Sequence, residues 1–171
     1  MTTPLVVARD RAQNPVPPKR KKRWISTITI DLTAQTIRFE WNDKTKGGSS
    51  SISSGRGKPC TVSDPCADQD NENCTPTGDF NPAFLGGSGY TSTKGDHMSW
   101  YVDLGTGRGI GIHNSQPVLG KPASHGCIRV PASMARTINK NVIQTTVVAI
   151  SGKAATTSWQ DKTCPKPRPR K

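Results

Sequence analysis

Histidine and aromatic residues are scarce in this 171-residue chain: there are three histidines, and Phe, Trp and Tyr together make up 5%. With 32% apolar residues, the chain has material for one domain with a modest core. No apolar run approaches the roughly 20 residues that a membrane-crossing helix requires, so no transmembrane segment is expected. A secretory signal is also missing from view. The opening "MTTPLVVARDR" has no basic residue ahead of its short apolar patch, and arginine and aspartate follow at once. The close cysteine pairs of a zinc site are lacking too. Cys60, Cys66 and Cys74 are separated by five and seven residues, with no histidine nearby, so no metal is expected.

Glycine and proline are plentiful, at 16 and 14 copies. That favours short strands joined by turns over long helices. The net charge of +12 is concentrated at the ends: residues 1–23 carry +6, residues 162–171 carry +5, and residues 24–161 only +1. Both ends mix proline with positive charge and read as extended, solvated tails that would attract an anionic polymer. Of the five cysteines, Cys60, Cys66 and Cys74 lie in an acidic loop over residues 60–74, Cys164 in the C-terminal tail, and Cys127 apart. Two disulfides are expected among Cys60, Cys66, Cys74 and Cys164, in any of three pairings, which leaves Cys127 as the free thiol and points to an oxidising compartment.

"WISTITIDL" and "TIRFEW" alternate apolar and polar side chains across a short link, which predicts a hairpin. "SSSISSG" reads as a third strand ending at Gly55, "TPTGDF" as a turn into an extended segment, and "MSWYVDL" with "GIGIH" as a second hairpin. "PASMARTINKNVI" places Met134, Ile138 and Val142 at helical spacing, and "TTVVAIS" reads as a closing strand. The sum is a mainly β domain, a sandwich or barrel, with one short helix after Cys127.

Two of the three histidines bracket the stretch "HNSQPVLGKPASHGC". If "SHGCIRV" is extended, His125, Cys127 and Arg129 share one face and Ile128 and Val130 the other. By the same alternation, Ile110 and Ile112 face the core and His113 faces away, toward a common cleft. A thiol with a pKa of about 8.5 is a weak nucleophile at neutral pH. A neighbouring imidazole can take its proton. Backbone amides around Gly126 and Cys127 could hold an oxyanion, and Arg129 supplies positive potential for a carboxylate or the thiolate. His97, in "KGDHMSW", reads as a solvent-facing loop residue. Singly, each of these residues has an ordinary structural explanation.

Together, "SHGCIR", the upstream "IHN", "SSG" at residues 53–55 and "TPTGDF" at residues 75–80 resemble, in this order, the YkuD-type L,D-transpeptidases, which cross-link bacterial peptidoglycan. The resemblance spans roughly residues 24–151, flanked by the basic segments 1–23 and 152–171. It implies that Cys127 is the nucleophile and His113 the general base. His125 would shape the pocket, and Ser124, Gly126 and Arg129 would complete the motif beside the substrate. Asn114 stands where the family commonly has glycine or serine. The implied reaction is attack on a tetrapeptide stem with release of D-alanine, followed by transfer of the acyl group to a second stem, or to water in an L,D-carboxypeptidase. No cofactor is implied, acylation of Cys127 by carbapenems is, and the implied location is the periplasm, cell wall or exterior.

Two other classes share some of these features. A different cysteine peptidase or amidase would also use Cys127 and His113. A nucleic-acid-binding module could be built on "KRKKR" and "KPRPRK", but the near-neutral body and few aromatics argue against it. An antibacterial effector carrying the same site is a third use of the enzyme reading.

Overall fold

The computed structural model describes residues 13–20, 22–57, 60–61 and 73–155. In chain order the strands are β1 (Asn14–Pro15), β2 (Ile25–Asp31), β3 (Thr36–Trp41), β4 (Lys46–Ser51), β5 (Cys60–Thr61) and β6 (Pro76–Phe80). They continue with β7 (Phe84–Leu85), β8 (Ser99–Asp103), β9 (Gly111–Asn114) and β10 (Ile128–Val130), then the helix α1 (Ala132–Asn141) and β11 (Val147–Ser151). Among the described residues no helix is long and apolar enough to cross a membrane.

Two sheets form, with strand orders β4-β3-β2-β11-β6-β5 and β1-β7-β8-β9-β10. Neither closes, so of the two architectures expected, the barrel is not the one formed. The alternation in β2 and β3 does what period-two patterning requires. Antiparallel pairing sets Ile28 opposite Phe39 and Ile30 opposite Ile37. Parallel pairing with β11 sets the same isoleucines beside Val148 and Ile150. These rows are buried and join Ile112, Ile128, Val130, Met134, Ala135 and Ile138 in one core. Helix α1 covers β8 and β9, presenting Met134, Ala135 and Ile138 inward, while Val142 is buried just past its end.

Three expectations are revised. The extended segment expected in "TPTGDF" forms but the turn before it does not: Pro76–Phe80 is all strand β6, held by antiparallel pairing with β11, with Gly78 at φ +130° opposite Ile150. The third strand stops at Ser51, and the chain then changes sheets. Ser53 bridges to Arg129 and Gly55 to Ser124, so residues 53–55 lie along the segment that carries Cys127. The N-terminal basic segment is not wholly solvated. Val16 is buried, β1 pairs with β7, the Pro17 carbonyl accepts the Gln144 N–H at 3.0 Å, and Arg20 Nε donates to the Val142 carbonyl at 3.3 Å. Apolar burial there outweighs the solvation of the neighbouring charges. The cysteines follow expectation where they are described: Cys60 and Cys74 form a disulfide and Cys127 is free. The second expected bridge involves Cys66 and Cys164, which lie outside the described residues, as do most of the acidic loop and residues 156–171.

Candidate active site

The segment carrying Cys127 is extended only from Ile128 onward, so the expectation of one continuous strand is corrected. Gly126 takes φ +131°, in the region that favours glycine. A Cβ there would also sit 2.6 Å from Ile110 Cδ1 and 2.9 Å from the Cys74 carbonyl oxygen. The turn brings the chain against residues 73–75 and then delivers it into β10. Burial still alternates: Ser124, Gly126, Ile128 and Val130 are buried, His125 is exposed, and Cys127 and Arg129 are half-buried.

Side chains and backbone lock this turn. Ser124 Oγ accepts the Gly126 N–H at 3.0 Å and donates to the Cys127 carbonyl. The Gly126 amide is therefore committed to Ser124, contrary to the expectation that it would face an oxyanion. Thr75 Oγ1 donates to the Gly126 carbonyl at 2.6 Å and accepts the Gly55 N–H at 2.8 Å. Ser54 accepts the backbone N–H groups of Ala123 and Ser124 at its carbonyl, and Gln35 holds Ser54 in turn through its side chain. The motifs "SSG", "TPTG" and "SHGC", far apart in sequence, thus meet around one turn.

Strands β9 and β10 run parallel, with His113 beside Arg129 and Ile112 beside Ile128. His113 Nδ1 lies 3.1 Å from the Asn114 carbonyl oxygen. A carbonyl only accepts, so Nδ1 carries the proton and the basic lone pair is on Nε2. The backbone of residue 114 makes this contact, so its side-chain identity is not what orients the ring. Asn114 Oδ1 is itself buried without a hydrogen-bond partner among the described residues. His113 is buried, 5% exposed, rather than turned out into an open cleft as expected. Its ring lies 6.2 Å from that of Tyr101. Burial lowers its pKa to about 4, so the imidazole is neutral at physiological pH.

The Cys127 thiol donates to the Gly109 carbonyl at 3.4 Å rather than to the His113 ring. Burial pushes it up to about 11, opposed by a backbone hydrogen bond from Gly111 and by the Arg129 charge, and reinforced by the Asp103 carboxylate. The resting pair is therefore neutral thiol and neutral imidazole, not thiolate and imidazolium.

Two buried residues near the sulfur were not singled out from sequence. Tyr101 Oη donates to Asp103 Oδ2 at 3.0 Å, and Asp103 Oδ1 accepts the Gly105 N–H at 2.7 Å. Tyr101 stacks on Tyr90 at 5.0 Å between ring centroids. A Cβ at Gly111 would lie 2.4 Å from the Tyr101 ring, so the missing side chain is what admits this ring beside the site. The one available signal was the i, i+2 spacing of Tyr101 and Asp103 in "WYVDL", which puts both on one face of β8. His97 is exposed, with Nε2 3.1 Å from Ser99 Oγ. Among the described residues, no group of three or more His, Cys, Asp or Glu side chains is placed to hold a metal ion.

The YkuD family, L,D-transpeptidase catalytic domain, matches residues 25–150. The chain belongs to this family. Solved structures with the same fold include the YkuD-type L,D-transpeptidase of Stackebrandtia nassauensis, 16% identical with a TM-score of 0.58 over 83% of this chain and 61% of that one. The L,D-transpeptidase of Xylanimonas cellulosilytica is 22% identical, with a TM-score of 0.59 over 81% and 64%. L,D-transpeptidase 3 of Mycobacterium tuberculosis, in complex with a faropenem-derived adduct, is 18% identical, with a TM-score of 0.57 over 75% and 60%. The chain thus spans about three-fifths of the length of these YkuD-type structures. No curated protein sequence matches it.

Proposed function

We propose that this YkuD domain is a peptidoglycan L,D-transpeptidase with Cys127 as its nucleophile and His113 as its general base. The observation that carries the reading is the parallel register of β9 and β10, which sets His113 on the strand beside the one that Cys127 leads into, with a free, half-buried thiol and an imidazole whose Nε2 is left basic by the Nδ1 contact to Asn114. In the first step Cys127 Sγ attacks the carbonyl carbon of the third residue of a tetrapeptide stem as its proton passes to His113 Nε2. The carbonyl π pair moves to oxygen. Collapse of that oxyanion breaks the C–N bond, the leaving amine takes the proton from His113, and D-alanine departs from a thioester on Cys127. An amine of a second stem then attacks the thioester, giving its proton to His113, and the sulfur leaves and is reprotonated.

A general base serves this site better than a preformed ion pair. The thiolate is disfavoured by burial and by Asp103, so deprotonation has to accompany attack. The thiol–imidazole hydrogen bond would form as substrate displaces the contact to Gly109, since such bonds often tighten only once substrate is bound. Arg129 suits the carboxylate of the stem, Ser124 holds the turn, His125 lines its exposed side, and Asn114 offers a further polar atom beside the base. Stem peptides are extracytoplasmic, so the domain would act in the periplasm, the wall or outside the cell. The basic ends, where free of the fold, would hold it near anionic wall polymer.

The test is incubation with purified disaccharide-tetrapeptide, with and without an acceptor stem, read by mass spectrometry. Wild type should release D-alanine and form a cross-linked dimer, whereas Cys127→Ser should do neither while keeping the wild-type thermal transition. A bare tripeptide without dimer would instead assign the site to hydrolysis. Release of D-alanine by Cys127→Ser would dismiss the thiol mechanism.

A further inference from the structure

The Thr-Pro-Thr-Gly segment has no part in the chemistry above, yet its first threonine touches the nucleophile turn directly. Thr75 is 3% exposed, and its hydroxyl sits between two backbone groups: it accepts the Gly55 N–H and donates to the Gly126 carbonyl. In a trans peptide the C=O of one residue and the N–H of the next point in opposite directions. A hydroxyl that fixes the Gly126 carbonyl therefore also fixes the direction of the Cys127 N–H, away from Thr75. We propose that Thr75 is a positioning residue for acyl transfer, holding the peptide between Gly126 and Cys127 so that the Cys127 N–H faces the oxyanion formed on the substrate carbonyl. This rests on Cys127 being the nucleophile.

Three features of the structure support it. First, the other polar groups around this peptide are already engaged: the Gly126 N–H and the Cys127 carbonyl are both held by Ser124 Oγ. The Gly126 carbonyl is the remaining point at which the peptide can be turned, and Thr75 is what holds it. Second, residue 126 is a glycine, at φ +131°, whose backbone lacks the Cβ that restricts other residues, so the turn does not fix itself. Third, Thr75 is braced on both sides. The preceding residue, Cys74, is tied to Cys60, and the following one opens β6, where Pro76 pairs with Cys60. The Cys74 carbonyl lies close enough to Gly126 that a Cβ there would approach it to 2.9 Å. A hydroxyl on a segment braced by a disulfide and a strand can direct an amide more firmly than one on a free loop.

The chemistry separates this role from simple support of the fold. Acylation of Cys127 passes through a tetrahedral oxyanion: the C–S bond forms, the carbonyl π pair becomes the oxyanion, and the amine or lactam nitrogen then leaves with the proton held by His113. Alkylation by iodoacetamide displaces iodide from a CH2 group and forms no oxyanion. A residue that aims the amide should affect the first reaction and spare the second.

Thr75→Val removes both hydrogen bonds at nearly constant volume, and Thr75→Ser keeps the hydroxyl. Each should be assayed for D-alanine release from disaccharide-tetrapeptide, for acylation by faropenem read by intact mass, and for iodoacetamide alkylation of Cys127. Thr75→Val should lose at least about tenfold in kcat and in the acylation rate, with KM and the alkylation rate within about threefold of wild type, and Thr75→Ser should recover most of the loss. If Thr75→Val has no cooperative thermal transition, Thr75→Ala is read in the same way. Acylation within threefold of wild type in a folded variant lacking the hydroxyl overturns the proposal. So does a matching fall in alkylation, which would mean that the sulfur itself has moved, or a Thr75→Ser protein as poor as Thr75→Val. Should wild type fail to release D-alanine while alkylating normally, the transpeptidase reading fails instead, whatever Thr75 does.

Discussion

At the scale of single residues, His113 couples the site to folding stability. The folded state holds it neutral, with a pKa of about 4, while the unfolded chain takes up a proton near the ordinary value of 6.5. Between those values the unfolded state binds more protons, so stability present above pH 6.5 is lost as pH falls. A shift of this size corresponds to about 3 kcal/mol. Urea unfolding followed from pH 7 to pH 4 should show this slope in wild type and a reduced one in His113→Asn. An equal slope in both proteins would assign the acid sensitivity to other groups. The motif "SHGC" identified Cys127 as the reactive cysteine candidate, and parity among five cysteines left one free thiol. Neither the burial of His113 nor the neutral resting pair could be read from strand alternation. Alternation gives the direction of a side chain, not what stands in front of it, and here Tyr101 stands against the ring.

Elements bring together what the sequence keeps apart. The chain between Ser53 and Gly55 leaves one sheet and lies against the other, and the residue just before β6, Thr75, is set beside Gly126. The disulfide between Cys60 and Cys74 ties β5 to the start of β6 across 14 positions. A closed loop of that length restricts the unfolded chain by about 3 kcal/mol in the chain-entropy picture. The Cys60→Ser/Cys74→Ser double variant should therefore melt roughly 6–12 °C below wild type by calorimetry. An unchanged melting temperature would mean that sheet pairing alone holds residues 73–75. Both hairpins and the helix were legible, because their apolar residues repeat at periods of two or near four. The change of sheet after Ser51 was not legible, because a run of serines has no apolar periodicity to report a partner. The start of strand β6 read as a turn for a related reason: proline and glycine signal turns locally, and only pairing with β11 makes Pro76–Phe80 a strand.

For the molecule as a whole, the distribution of charge and the limits of the fold are separate matters. The charge count drew a boundary at residue 23, but Val16 and Arg20 lie within the folded unit. Substitution in a solvated tail should change stability by no more than about 0.5 kcal/mol, whereas losing a buried valine side chain costs about 1.5–3 kcal/mol. Val16→Asp should accordingly lower the denaturant midpoint without changing its cooperativity. A midpoint equal to wild type would return this segment to solvent.

The residue pattern alone determined a mainly β class, the family and Cys127 as a free thiol, because side-chain period and motif order are properties of the linear chain. The tertiary structure decided which nitrogen of His113 is basic, which amides of the turn are already engaged, and that a threonine some fifty residues upstream (51 positions from Gly126) grips the nucleophile's peptide. Those depend on backbone groups meeting across two sheets, and a backbone carbonyl or N–H is the same in every sequence until the fold gives it a partner.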